Sequence, residues 1–259
     1  MPEGDTVWRA ARSLDRALTN HVITAQFRVP ALAEIALTTQ VLGTVSRGKH
    51  LMTRFATGQT LHTHLRMEGS WHLYRPGEPW QRPGHQARVV LTSDDRVAVG
   101  FSLGVVELIA TTAESDVVGH LGPDLLGPDW DSEAAVARLS REPMAPIGVA
   151  LLDQRNLAGI GNLYRNELCF LIGAHPKTEV SRVNVSRVVL RAKALLEANK
   201  ERANQCTTGD LRPGKRTWVY RRAEQPCRRC GSSIASGELG DPSRSIYWCP
   251  SCQPQPTGP

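Results

Sequence analysis

Apolar positions follow a helical period at the start of the chain, alternate in short runs through its first half, and return to helical spacing in the second. Val7, Ala10, Ala11, Leu14 and Leu18 share one face of a 3.6-residue helix, and Asp5 is placed to cap it. The runs 22–28, 51–55, 60–65, 70–74, 87–92, 96–101 and 104–110 are bounded by Gly, Pro and Asp and read as strands. Such a series predicts a β-sandwich or barrel. Residues 121–130, LGPDLLGPDW, hold two Gly-Pro-Asp turns and read as a linker. Beyond them the spacing predicts helices over 133–141, capped by Asp131 or Ser132, then 146–155, 162–172 and 186–203. In the last of these, Val185, Val188, Val189, Ala192, Leu195 and Leu196 keep the helical period. The fold class expected is a multidomain α+β chain.

Composition narrows the function classes. A chain of 259 residues is long enough for two cores, and 41% hydrophobic with 22% charged residues excludes a disordered polymer. No stretch approaches the ~20 apolar residues of a membrane span. Glu3 and Asp5 without a following apolar core argue against a secretory signal, so a reducing cytoplasm is expected. The net charge is +6, and residues 211–230 carry Arg212, Lys215, Arg216, Arg221, Arg222, Arg228 and Arg229 against Glu224 alone. A solvated basic loop would look the same, but this one runs into a cysteine cluster, which favours a phosphate-binding surface.

Cys227 and Cys230 form one Cys-x-x-Cys pair and Cys249 and Cys252 another, with eighteen residues between the pairs. Two such turns on facing hairpins complete a tetrahedral four-sulfur site, so one structural Zn2+ is expected. Four protein ligands leave no open position for metal catalysis. Cys169 and Cys206 stand in helical context and read as buried small residues. His62 and His64 alternate on one strand face, but no third ligand is evident.

Four separated motifs then occur in order: Met1-Pro-Glu-Gly, Arg47-Gly-Lys-His, Gly159-Ile-Gly-Asn-Leu-Tyr and the four cysteines. Together they resemble the formamidopyrimidine-DNA glycosylase/endonuclease VIII family over nearly the whole chain. The Pro-Glu-Gly-Asp start is more similar to the endonuclease VIII branch, and the wider chain resembles an actinobacterial subgroup of it. The resemblance implies an N-terminal β-sandwich with a leading helix (1–115), a linker (116–130), a helix–two-turn–helix domain (131–222), a C-terminal zinc β-hairpin (223–253) and a tail (254–259). It implies damaged DNA as the partner, bound in a cleft between the two domains by a monomer. The location expected is the bacterial cytoplasm, at the nucleoid when the enzyme acts on DNA.

The implied chemistry is bifunctional, base excision followed by β/δ-elimination. Pro2, exposed once Met1 is removed, is the nucleophile; by itself it would be an ordinary second residue. An α-amino group titrates near pH ~7.7–8, so a useful fraction is unprotonated at neutral pH. Glu3 is the general acid–base group, although a carboxylate there also suits a helix start. Lys49, behind Gly48, contacts a flanking phosphate and assists β-elimination. Arg244, near the hairpin tip, grips phosphates around the extruded nucleotide. Asn162, and more weakly Gln154, contact DNA where a Gly-rich turn enters a helix, a position that also suits a cap. Met67 fills the gap left by the flipped base unless it is a core residue, and Arg66 contacts backbone or widowed base.

Two departures stand out. The loop reads Arg66-Met67-Glu68 where endonuclease VIII proteins commonly have Gln-Leu-Tyr, and Gly100-Phe-Ser-Leu-Gly-Val-Val lacks the arginines with which the formamidopyrimidine branch holds the opposite strand. A weak grip on that strand predicts activity on single-stranded, bubble or forked DNA. Oxidised pyrimidines are the expected substrates. A catalytically silent zinc-containing DNA-binding protein is the alternative, and intact Pro2, Glu3 and Lys49 argue against it.

Overall fold

The structure, a computed structural model, describes residues 2–256. The chain divides into two units, Met1–His120 and Leu121–Pro259, each with a core of its own.

The first unit opens on α1 (Gly4–Leu18), which buries Val7, Ala11, Leu14 and Leu18 as their spacing predicts. Glu3, not Asp5, occupies the N-cap position; Asp5 lies inside the first turn, where a carboxylate favours the helix dipole. Strands β1 (Val22–Phe27), β2 (Leu37–Arg47), β3 (His50–Phe55), β4 (Gln59–His64), β5 (Ser70–Tyr74), β6 (Ala87–Thr92), β7 (Val97–Phe101) and β8 (Val105–Ala110) follow, then the short helix α2 (Glu114–Val118). The strands run antiparallel in the order β5-β7-β6-β1-β2-β3-β4-β8. Strand β2 belongs to two layers: residues 37–40 pair with β1 and residues 41–47 with β3, with a register irregularity between Val41 and Gly43. A strand that changes partners at such a point turns the corner of a sandwich. The two layers and α1 share one core, in which Ile23, Phe27, Phe55, Leu61 and Val89 meet Leu14 and Leu18. The run-by-run reading passed over β2 because half of its inward positions, such as Thr39 and Thr44, are threonines.

In the second unit, Asp131 caps α3 (Ser132–Leu139) by accepting from the amides of Glu133 and Ala134. Helix α4 (Ile147–Ala150) is far shorter than the predicted 146–155. Asp153 accepts from the Arg155 amide (2.9 Å) and Asn156 Nδ2 donates to the Ala150 carbonyl (3.0 Å), so side chains take the partners a continuing helix would use. Helix α5 (Asn162–Ile172) has the predicted bounds and ends at Gly173, whose φ is 74°. Helix α6 (Val185–Asn199) is capped by Asn184 and stops before the predicted end. The Asn199 amide exchanges hydrogen bonds with the main chain of Cys206 (2.9 and 2.7 Å) and draws the chain off the helix axis. Cys206 is therefore buried on a loop, while Cys169 is buried on α5 as expected. Strands β9 (Ala235–Leu239) and β10 (Arg244–Trp248) pair as the C-terminal hairpin.

Residues 121–130, expected as a linker, are hydrogen-bonded into the second unit. The Gly122 amide donates to the Gln154 carbonyl (2.8 Å), the Ala158 amide to Pro123 (3.0 Å) and Lys193 Nζ to Leu125 (2.7 Å). Met1 and the last three residues of the expected tail lie outside the described residues. No helix among the described residues is long and apolar enough to cross a membrane.

Candidate functional site

Helix α1 fixes the N-terminal candidate residues of the first unit. Pro2 is half-buried, and Glu3 is fully buried in extended backbone at the N-cap, its carbonyl accepting from the Val7 amide (3.0 Å). Arg47 pairs with His50 across a two-residue turn in which Gly48 has φ 57°, so Lys49 stands at the tip of the tightest kind of hairpin. The other candidate loop follows β4. Met67 is 56% exposed there, which removes the core alternative, and Arg66 takes a φ of 53°.

A histidine network that the motifs did not reveal sits on the same sheet. His62 faces Glu107 across β4 and β8, and His50 lies diagonally across β3. Glu107 accepts from His62 Nδ1 (2.9 Å), and in its neutral form His62 then accepts at Nε2 from His50 Nδ1 (2.9 Å). Both ring nitrogens of His62 are thus engaged, away from any metal role. His64 Nδ1 accepts from the Arg66 amide (2.9 Å). Burial, followed by the charges of His64, His62, His120 and Arg66, holds the His50 pKa down to about 3. Burial, followed by Arg66, Lys49 and His62, holds His64 at about 4. The sequence signal for this network is the alternation His62-Thr-His64 with an acid opposite, which needs the strand register to be read.

In the second unit, the first turns of α5 grip β10. The Asn162 side chain does not cap its helix; Nδ2 donates to the Ser245 carbonyl (3.1 Å) and Oδ1 accepts from Arg165. Arg165 Nη2 also donates to Ser245 (2.9 Å), and the Tyr247 amide donates to Asn166 Oδ1 (2.7 Å). Arg244, exposed at the start of β10, has its neighbouring main chain held by Arg165 and Asn166, two residues that sequence reasoning missed. The Gln154 amide is turned inward, donating to the carbonyls of Leu152 and Ile160 (both 2.9 Å) and accepting from the Gly159 amide (3.1 Å). It braces the turn that leads to Asn162.

The four cysteines come together at the root of the hairpin, with all four sulfurs within 4.8 Å of one another. Sulfur–sulfur separations are 3.4 Å for Cys230–Cys249, 3.5 Å for Cys230–Cys252 and 4.0 Å for Cys227–Cys252. Zinc–sulfur bonds of about 2.3 Å in a tetrahedron put sulfurs about 3.8 Å apart, so the donor set fits a zinc-sized cation. Burial pushes the Cys252 thiol up to about 12, and its sulfur neighbours add to the rise, whereas bonds to Ser232 lower Cys230 to about 6. A bound cation removes that conflict between crowded thiolates.

Residues 1–102 match the formamidopyrimidine-DNA glycosylase N-terminal domain and residues 121–207 the formamidopyrimidine-DNA glycosylase H2TH domain. The chain is 52% identical to the probable endonuclease 8 2 of Streptomyces coelicolor, over 99% of its own length and 95% of that protein. It is 45% identical to the Mycolicibacterium smegmatis protein named DNA-(apurinic or apyrimidinic site) lyase Nei2, over 98% and 99% of the two chains. A solved structure of MutM in complex with DNA containing carbocyclic 8-oxo-G superposes with a TM-score of 0.82 at 22% identity, covering 98% and 100%, a likeness of fold.

Proposed function

The chain belongs to the formamidopyrimidine-DNA glycosylase/endonuclease VIII family of DNA glycosylases and AP lyases, and from that premise we propose that it excises oxidised bases, pyrimidines above all, through a Schiff base on Pro2. The observation that carries this reading is the start of α1, where the residue bearing the amine is followed by a fully buried carboxylate at the helix N-cap. Amine and acid are thereby held one residue apart on a rigid element. The Pro2 nitrogen attacks C1′, and the base leaves with the glycosidic electrons and takes up the proton that the nitrogen gives up. Opening of the C1′–O4′ bond gives the iminium, with Glu3 supplying the proton that O4′ takes up. Loss of a C2′ proton then breaks the C3′–O bond, a second elimination breaks the C5′–O bond, and water releases the enzyme.

The remaining residues bind and orient. Lys49 and Arg244 take the phosphates flanking the lesion, Asn162 a further phosphate, and Met67 the space left by the base, with Arg66 beside it. Gln154 acts through the 159–161 turn and not by contact. Cys227, Cys230, Cys249 and Cys252 would hold a Zn2+ ion, which would supply structure only. Because 100–106 carries no arginine, single-stranded or forked DNA is accepted as well as duplex.

Borohydride trapping on oligonucleotides with an abasic site, 5-hydroxyuracil or 8-oxoguanine, single- and double-stranded, tests this reading. Trapping is expected with the native chain and is lost in Pro2→Gly. Glu3→Gln slows base excision by about 10²–10⁴-fold while a preformed abasic site still traps. No adduct from zinc-loaded protein lacking Met1 would leave only the DNA-binding reading.

A further inference from the structure

The loop that carries Met67 is held by a residue that none of the motifs contains. Arg82 lies in the excursion between β5 and β6. Its Nη1 donates to the Glu68 carbonyl (3.1 Å) and to Ser70 Oγ (2.9 Å), its Nη2 to Ser102 Oγ (3.4 Å) and its Nε to Gln86 Oε1 (3.0 Å). The guanidinium also lies 5.6 Å from the centre of the Phe101 ring. Glu68 closes the 66–69 loop, and Ser102 belongs to the turn between β7 and β8. One planar cation thus joins two separate loops.

The two loops also touch directly. The Gly104 amide donates to the His64 carbonyl (3.0 Å), and a Cβ at Gly104 would fall 2.0 Å from Arg66 Cγ. Each loop contains a non-glycine residue in the left-handed region, Arg66 at φ 53° and Ser102 at φ 47°. Such conformations persist only where surroundings hold them. A lysine could not replace the clamp, because its donors radiate from one nitrogen, whereas a guanidinium spreads five over a rigid fork.

We propose that Arg82 is a positioning residue that locks the Met67 loop and the 102–104 turn into one prong, and that this prong sets how strongly duplex DNA is bound relative to single-stranded DNA. The inference rests on the reading that the Met67 loop enters the base stack. In a duplex the gap must be filled by a side chain already at the right height, and preorganising the loop removes an ordering cost at binding. Single-stranded DNA has no complementary stack to support and does not need the prong. The chain lacks arginines at 100–106, and the clamp adds to the direct Gly104 contacts in tying this turn to the insertion loop.

The test uses the full-length, zinc-loaded protein, Arg82→Ala and Arg82→Lys, with no catalysis required. Affinity is measured for the same oligonucleotide bearing a tetrahydrofuran abasic analogue, single-stranded and paired. Amide exchange of the free proteins is followed over 66–70 and 101–104. Both variants are expected to lose duplex affinity by about tenfold, to keep single-strand affinity within about twofold, and to exchange faster in both loops with α1 unchanged. Equal loss on the two substrates, wild-type duplex affinity in Arg82→Lys, or unchanged loop exchange would overturn the proposal. None of these outcomes depends on Schiff-base formation, which the trapping experiment decides separately.

Discussion

Glu3 and Glu167 are both fully buried carboxylates, and the partners of Glu167 explain its burial. Glu167, on α5, accepts from the amides of Trp218 (2.8 Å), Val219 (2.9 Å) and Tyr220 (2.8 Å) and from the Thr207 hydroxyl. Burial raises its pKa and the four donors oppose the rise. Glu167→Ala would orphan three main-chain donors at about 1–3 kcal/mol each, so a loss of roughly 3 kcal/mol or more is expected by chemical denaturation, with Glu167→Gln milder. The histidines give a pH signature. Unfolded, His50 and His64 bind a proton near their ordinary 6.5; folded, they resist it until about 3 and about 4. The unfolded chain therefore holds more protons in that window, and stability present above pH 6.5 is lost as pH falls toward 4. Thermal midpoints should drop from pH 7 to pH 5, and His50→Gln should make the drop shallower. Pro2, Glu3, Lys49 and Arg244 were nameable as candidates from sequence because each sits inside a contiguous motif. Glu107, Arg165 and Arg82 were not, since their partners are set by strand register and loop packing.

At the scale of elements, α1 was readable because its apolar stripe keeps one period from end to end, whereas α5, buried all round from Leu163 to Phe170, was readable from the glycines that flank it, Gly161 and Gly173. Strand β2 was hidden by its threonines, and α4 was over-read because Asp153 and Asn156 divert backbone hydrogen bonds that no periodicity records. The cysteine hairpin was legible from spacing alone, but its docking was not: Arg229 lies 4.3 Å above the Phe170 ring on α5, and Asn166 holds the Tyr247 amide. That docking would make a bound metal matter for Arg244. Structural zinc contributes about 10–16 kcal/mol in small fingers, more than most domains have to spare. Chelation or Cys249→Ser should remove one zinc per chain, change the near-ultraviolet signal of Trp248 and abolish tight DNA binding, with zinc restoring the chelated protein. Full binding by metal-free protein would contradict a structural role.

For the whole molecule, the sequence already implied two core-bearing parts and a polyanionic partner, and the two units and the family agree. The placement of the boundary was less legible: two Gly-Pro-Asp turns look like a tether until their hydrogen bonds to Gln154, Ala158 and Lys193 are seen. With a net charge of +6, binding should weaken steeply with salt. If Arg244 holds a phosphate, Arg244→Ala should reduce the slope of log K against log salt by about 1. The central claim is that the amine of Pro2 does the chemistry. The most direct measurement is peptide mass mapping of the borohydride-reduced adduct formed on abasic DNA. The account predicts that the added sugar mass lies on the N-terminal peptide, on Pro2 with Met1 absent. Attachment to Lys49 or any other lysine in the native chain, or an adduct that forms with Met1 still in place, would contradict it.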